Sequence, residues 1–301
     1  MIPRFGLIIG AMKSGTTSLY EYLAQHPAIC RCRGKEPDFF VDEARWGSSR
    51  FEPSAAEPCS PAPSASEIEN LRAAYEALWP WDPSRHEIAL EASTSCTKTP
   101  VMPNVAARIA ALGLPARFIY VMRDPIERIE SHYTHGLAAG WLRPPGGPTL
   151  DAHVLAVTSY ARQIAEFYQR FPPSDILLVR FEDFVRSPGA VLRRVSAFLG
   201  VDPEYAFRGL GRAHNRNLGR PVSDGPLYRT WRRLPLLPAL ARRLLPERPR
   251  AFVRGRLGRR ITTVCRLTPE QRAWALEALA DDLERLRTEF GVDPSGWNLV
   301  P

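Results

Sequence analysis

The chain has 301 residues, enough to bury about three quarters of its unfolded surface without disulfide or metal staples. With 45% apolar and 24% charged residues it reads as globular, and no apolar run reaches the ~20 residues of a membrane span. The net charge of +8 hides a sharper asymmetry: of 40 basic residues, only Lys13, Lys35 and Lys98 are lysine. The wealth of Ala, Pro and Arg points to a GC-rich genome. Lysine is a compact point charge that arginine does not replace, so all three are functional candidates. Five cysteines, an odd number in no zinc-type spacing, predict free thiols in a reducing cytoplasm. The short apolar start is too weak for a signal peptide.

In chain order, the apolar run Phe5 to Ile9 predicts a strand. It opens into Gly10-Ala11-Met12-Lys13-Ser14-Gly15-Thr16-Thr17 and then a helix with Leu19 and Leu23 one turn apart, stopped at Pro27. Residues 47–66, rich in Ser, Pro and Ala, read as a surface loop. Ile88 to Leu90, Phe118 to Met122 and Ile176 to Phe181 are further short strands with helical stretches between them. This alternation predicts an α/β domain with a central, mostly parallel sheet flanked by helices. Gly136 to Pro148, holding Trp141, reads as a second loop. The last helix starts at a capping box, Thr268-Pro269-Glu270-Gln271, carries the stripe Leu276, Leu279, Leu283, Leu286 and Phe290, and ends at Gly291.

A strand entering a glycine turn and then a helix is an anion-binding device, because backbone N–H groups and the helix N-terminus converge on one point. Gly10 and Gly15 have the spacing of the ATP-binding loop G-x-x-x-x-G-K-[ST], yet Thr16 stands where its lysine belongs. The lysine is Lys13, three residues earlier. The strand Phe118 to Met122 also ends in Arg123, where a nucleoside triphosphatase places a magnesium-binding Asp. The expected ligand is a phosphate-like group held by Lys and Arg without a metal, and a nucleotide kinase or NTPase is the weaker alternative. Lys13-Ser14-Gly15-Thr16-Thr17-Ser18 after an apolar strand resembles the 5′-phosphosulfate loop of sulfotransferases, which use 3′-phosphoadenosine 5′-phosphosulfate (PAPS) as donor.

At the second motif, Asp124 suits a helix N-cap, Pro125 its first position, and Glu127 an Asp-x-x-Glu box. Arg123 then ends a strand where open α/β sheets bind ligands. A forked guanidinium with the Ser131 hydroxyl is suited to a terminal phosphate. An Arg ending a strand and a Ser eight residues later resemble the family's 3′-phosphate site. The bland alternatives are a structural salt bridge for Arg123 and a solvated helix position for Ser131. Tyr160 to Phe171, Ile176 to Asp183 and Phe198 to Val201 resemble later scaffold elements.

The third motif is Lys35-Glu36-Pro37-Asp38-Phe39-Phe40. An acceptor hydroxyl must lose a proton, and a carboxylate within hydrogen-bond reach can take it. The pattern resembles the acidic residue before a Phe pair in heparan-type sulfotransferases, and the resemblance makes Glu36 the base. His132 and His135 are second candidates. Glu91-Ala92-Ser93-Thr94-Ser95 lacks a Lys that heparan-type enzymes often carry there, and Asp38 stands where some carry His.

The resemblance implies a cytoplasmic bacterial sulfotransferase of P-loop-like three-layer fold, a single domain over residues 1–301. It implies sulfuryl transfer from PAPS to a hydroxyl on a carbohydrate, lipid or secondary metabolite, leaving adenosine 3′,5′-bisphosphate (PAP), with no metal. Lys13 would neutralise charge on the bridging oxygen, and the N–H groups of Ser14, Gly15, Thr16, Thr17 and Ser18 would cradle the 5′-phosphate. Residues 205–260 hold fifteen Arg against Asp224 and Glu247, while the rest of the chain is net acidic. Leu234 to Leu245 predict ordered helices there, and the segment reads as a lid or acceptor wall. Arg212 to Arg220, including Arg216, would close over the donor phosphates. A nucleic-acid or membrane-surface binder built on this basic segment is the other alternative; no nucleic-acid partner is expected, while peripheral membrane contact stays open.

Overall fold

The computed structural model describes residues 1–41, 64–139, 142–210, 221–222, 259–260 and 264–299. Five strands form one parallel sheet in the order β2-β3-β1-β4-β5. They are β1 (Phe5–Gly10), β2 (Ile29–Arg31), β3 (Ile88–Ala92), β4 (Ala116–Met122) and β5 (Ile176–Arg180). The sequence pattern had missed β2, because three residues are too short for alternation to show. The order matters for the site. From β1 the chain leaves towards β3 and β2, while from β4 it leaves towards β5. Connections therefore part between the adjacent strands β1 and β4, and at that switch point open α/β sheets bind ligands beyond the strands' carboxyl ends.

Every residue of β1 is buried, as expected for a central parallel strand covered on both faces. Phe5, Leu7 and Ile9 join one core with Tyr75, Trp79, Ile109, Phe167 and Leu286. These come from α2 (Ala65–Glu76) and its following turn, α3 (Val105–Ala111), α6 (Tyr160–Tyr168) and α9 (Pro269–Phe290). Ile8 faces the opposite core with Leu19, Leu23, Leu192, Val195 and Leu199. Those belong to α1 (Thr16–Leu23) and α8 (Pro188–Leu199), which the short α7 (Phe181–Arg186) precedes. The result is the three-layer α/β/α architecture the sequence predicted. A third cluster joins α4 (Pro125–Ala139), α5 (Ala152–Thr158) and α9 through Ile129, Val154 and Leu279.

Local signals held where their partners are local. Thr268 and Gln271 form the reciprocal capping box, Pro269 opens α9, and Gly291 closes it at φ 66°. Ser64 and Glu67 make a second such box, so α2 starts inside the predicted loop 47–66. Likewise α4 runs to Ala139, past Gly136, where a side chain would collide with Leu142 at 2.5 Å. Among the described residues no helix is long and apolar enough to cross a membrane. Cys30, Cys32, Cys96 and Cys265 are free thiols. Most of the predicted lid, including Arg212 to Arg220 with Arg216 and Leu234 to Leu245, lies outside the described residues, as does Trp141. Of that segment residues 205–210, Pro221–Val222 and Arg259–Arg260 are described, the last two paired as an antiparallel two-residue ladder.

Candidate active site

The loop after β1 is shaped by backbone that only certain residues tolerate. Gly15 is the N-cap of α1 at φ 84°, and a Cβ there would lie 2.6 Å from the Phe181 ring. Both the left-handed conformation and the space require glycine. A Cβ on Gly10 would collide with Thr97 and Tyr120. Lys13 itself stands at φ 71°. The loop leads straight into the first turn of α1. The N–H groups of a helix's first turn have no carbonyl four residues back, and they favour an anion.

Ser14 corrects part of the expected cradle. Its N–H donates to the Ala11 carbonyl at 3.2 Å, and its side chain is fully buried. Of the N–H groups expected to form the cradle, that of Ser14 is thus turned back into the loop. Behind the loop, Arg128 is wholly buried. It donates to the Met12 carbonyl at 3.1 Å, to the Val154 carbonyl at 3.1 Å and to Thr158 Oγ1 at 2.8 Å. Burial lowers its pKa to about 10, so it stays charged at neutral pH. The sequence reading missed Arg128, since nothing local distinguishes it from the other arginines.

Arg123 follows β4 directly, at the switch point. Its guanidinium lies over the Phe181 ring, 5.0 Å from the centroid, and pairs with Glu127. The same Phe181 ring abuts Gly15, so one aromatic side chain connects the two loops. Asp124 caps α4 by accepting from the Glu127 N–H at 3.0 Å. The predicted box is only half formed, because the Glu127 carboxylate turns to Arg123 while the Asp124 N–H donates to Glu182 at 2.8 Å. Ser131 is buried on α4, three residues beyond Arg128. That spacing puts it on the helix face that meets the Met12 carbonyl. The structure thus brings Lys13, the α1 N-terminus, Arg123 and Ser131 to the same end of the sheet.

The residues of the third motif gather beyond β3. Phe39 and Phe40 are core, in a single 3₁₀ turn (Phe39–Val41). Just before them Glu36 at φ 59° and Asp38 at φ 51° hold the loop in a left-handed course. Glu36 is exposed and pairs with Lys35 at 2.9 Å. Asp38 accepts from the Ser95 hydroxyl. Lys98, near the sheet's carboxyl edge, feels both Glu36 and Asp38, while burial pulls its pKa down. Its role was open from sequence; its place is beside the proposed base. Beneath them Glu91 is fully buried, and burial together with the Asp38 charge raises its pKa to about 8.

The histidines fall elsewhere. His132 is completely buried, 5.8 Å from the His153 ring. Burial, then the charges of Arg128, His153, Lys98 and Lys13, drive its pKa far down. A group so hard to protonate is a poor proton acceptor. His135 is half-buried on α4. Among the described residues no group of three His, Cys, Asp or Glu side chains could hold a metal.

Comparison with known proteins gives the family and the fold. Over 213 residues, 65% of this chain, the sequence is 28% identical to mouse heparan sulfate glucosamine 3-O-sulfotransferase 3A1, covering 45% of that protein. It is 25% identical over 222 residues to mouse bifunctional heparan sulfate N-deacetylase/N-sulfotransferase 4, covering 68% of this chain and 23% of that protein. The chain thus spans less than half the length of these curated relatives. A sulfotransferase crystal structure from Alicyclobacillus acidocaldarius superposes with a TM-score of 0.61 over 97% of both chains at 21% identity, a likeness of fold. The profile described as the sulfotransferase family matches residues 7–205, and the chain belongs to that family.

Proposed function

We propose that this chain transfers a sulfuryl group from PAPS to an acceptor hydroxyl. The observation that carries the reading is the strand–loop–helix turn with Lys13 at the β1–β4 switch point, linked through Phe181 to an arginine at the adjacent strand end. A donor with phosphates at both the 5′ and 3′ positions matches two anion sites at one sheet edge, one on each loop.

In this reading the α1 N-terminus, from Gly15 to Ser18, holds the 5′-phosphate, and Arg123 with Ser131 holds the 3′-phosphate. Glu36 takes the proton of the acceptor hydroxyl as its oxygen attacks sulfur. The bond between sulfur and the bridging phosphate oxygen breaks, and PAP leaves. Lys13 neutralises the negative charge that grows on that oxygen, a contribution made mainly in the transition state. Lys35 and Lys98 flank Glu36 and keep positive charge beside the sulfuryl path. Positioning and charge stabilisation supply the catalysis, as in phosphoryl transfer. The relatives' names point to a sugar as acceptor, and a carbohydrate hydroxyl is our first choice.

The test is an assay with PAPS and a panel of hydroxyl acceptors, following sulfated product and PAP together, with magnesium and ATP as control. Stoichiometric release of both products supports the reading, and turnover of ATP in place of PAPS overturns it. Glu36→Gln keeps the side chain's shape and removes the base. Turnover should fall about 100-fold, within the usual range for a general base, with PAP affinity unchanged by calorimetry. Abolition by His132→Ala with Glu36→Gln active would move the base to the histidine.

A further inference from the structure

The turn carrying Arg123 is held by contacts that neither the motif nor the chemistry above uses. The peptide unit between Arg123 and Asp124 is bound at both ends. Its carbonyl accepts from the Tyr160 hydroxyl at 2.7 Å, and its N–H donates to Glu182 Oε1 at 2.8 Å. The other Glu182 oxygen, Oε2, accepts from the Trp297 indole N–H at 2.8 Å. Asp124 repeats the arrangement: Oδ1 accepts from the Glu127 N–H, and Oδ2 from the Asn298 N–H at 2.7 Å. Four carboxylate oxygens thus meet four N–H donors, two of them from the far C-terminal end of the described chain. Hydrogen bonds to a charged acceptor are stronger than neutral ones, and a set with every member satisfied is rigid.

The C-terminal segment is seated firmly. Trp297 is 5% exposed, its ring lies 6.0 Å from that of Tyr160, and Arg180 stacks over it at 5.9 Å. Gly296 lets the backbone pass against the Arg180 guanidinium, which a side chain there would displace. This packing fixes an arginine backbone whose side chain remains half-buried at the sheet edge, over Phe181 and paired with the mostly exposed Glu127 carboxylate.

We propose that Trp297, Asn298 and Glu182 form a brace that positions Arg123 for the donor's 3′-phosphate. They are positioning residues, acting through the Arg123–Asp124 peptide unit. The inference rests on the assignment of Arg123 to that phosphate. A guanidinium placed within a few tenths of an ångström binds a phosphate through paired bonds, and a swinging one does not. The brace therefore sets the preference for a nucleotide with a 3′-phosphate over one without.

The experiment is calorimetry of the full chain with PAP and with adenosine 5′-phosphate. Trp297→Phe keeps the ring and removes the indole N–H. PAP should bind on the order of tenfold more weakly, with adenosine 5′-phosphate changed by less than about twofold. In an Arg123→Ala background the same change should have no further effect on PAP, since the brace then has nothing to position. Glu182→Gln is the second variant, should Trp297→Phe fail to fold by circular dichroism, and it should reproduce the selective loss. Equal weakening of both nucleotides, an unchanged PAP affinity, or additive losses in the double variant would overturn the brace. If Arg123→Ala leaves the preference for PAP intact, the 3′-phosphate assignment falls and the brace with it. If Arg123→Ala abolishes the preference and Trp297→Phe spares it, only the brace falls.

Discussion

The loop after β1 and the turn after β4 stand side by side at one sheet edge, yet they are built in opposite ways. The first takes its course from near neighbours, with Ser14 bonded to Ala11, Leu19 to Gly15 and two residues at positive φ, and remote groups such as Val121 and Arg128 then bind its backbone. The second depends on distant chain. Tyr160 lies 37 residues from Arg123, Glu182 lies 58 from Asp124, and Asn298 lies 174 from it. In the proposed chemistry the locally built loop carries the transferring end of the donor, and the remotely built turn reads its far end. Damage to the first should appear in turnover, and damage to the second in nucleotide preference.

The largest effect should come from the loop. Lys13→Ala should reduce turnover by about 10²–10³, the scale of losing one preorganised charge partner in the transition state, with melting temperature little changed. Near-normal turnover in a folded Lys13→Ala protein would break the comparison at its stronger side. The turn should respond in binding. Arg123→Ala or Ser131→Ala should weaken PAP about ten- to a hundredfold while adenosine 5′-phosphate changes far less. Equal losses for the two nucleotides in calorimetry would show that the turn does not read the 3′-phosphate.

A smaller effect separates the acceptor side from both phosphate sites. The pKa of Glu91 is raised from 4.5 to about 8, so the folded protein keeps a proton that the unfolded chain releases. Its stabilising contribution is full below about pH 4.5 and fades as pH rises towards 8. Thermal melts from pH 5 to 9 should show the wild type losing stability relative to Glu91→Gln, and parallel curves would refute the buried, protonated acid. The smallest effect concerns Glu127, whose side chain is 55% exposed and pairs with Arg123. An exposed pair contributes about 0–1 kcal/mol. Glu127→Ala should release Arg123 and tighten PAP by no more than about fivefold. Weaker binding would mean that Glu127 helps to orient the guanidinium.

Legibility in the sequence followed the same division. Lys13, Gly15, Arg123, Ser131 and Glu36 stood out as candidates because each belongs to a short motif, and lysine scarcity singled out Lys98. Arg128 was invisible among so many arginines, and its importance comes only from its complete burial behind Met12. Glu182 sat in a stretch read as scaffold, since no spacing shows that its carboxylate meets a peptide 58 residues earlier and an indole 115 residues later. The Asp124 to Glu127 box was half wrong for a related reason. Glu127 had a stronger partner in Arg123, and Glu182 had already taken the Asp124 N–H.

By itself, then, the sequence determined the elements whose causes are local. A buried strand, a glycine that alone tolerates φ 84°, and caps such as Thr268 with Gln271 depend on residues a few positions apart. Only the tertiary structure decided which strand ends meet, that Phe181 lies between Gly15 and Arg123, and that the C-terminal segment reaches Asp124. Those contacts follow from the parallel strand order, which brings all the carboxyl-end loops to one edge whatever their separation along the chain.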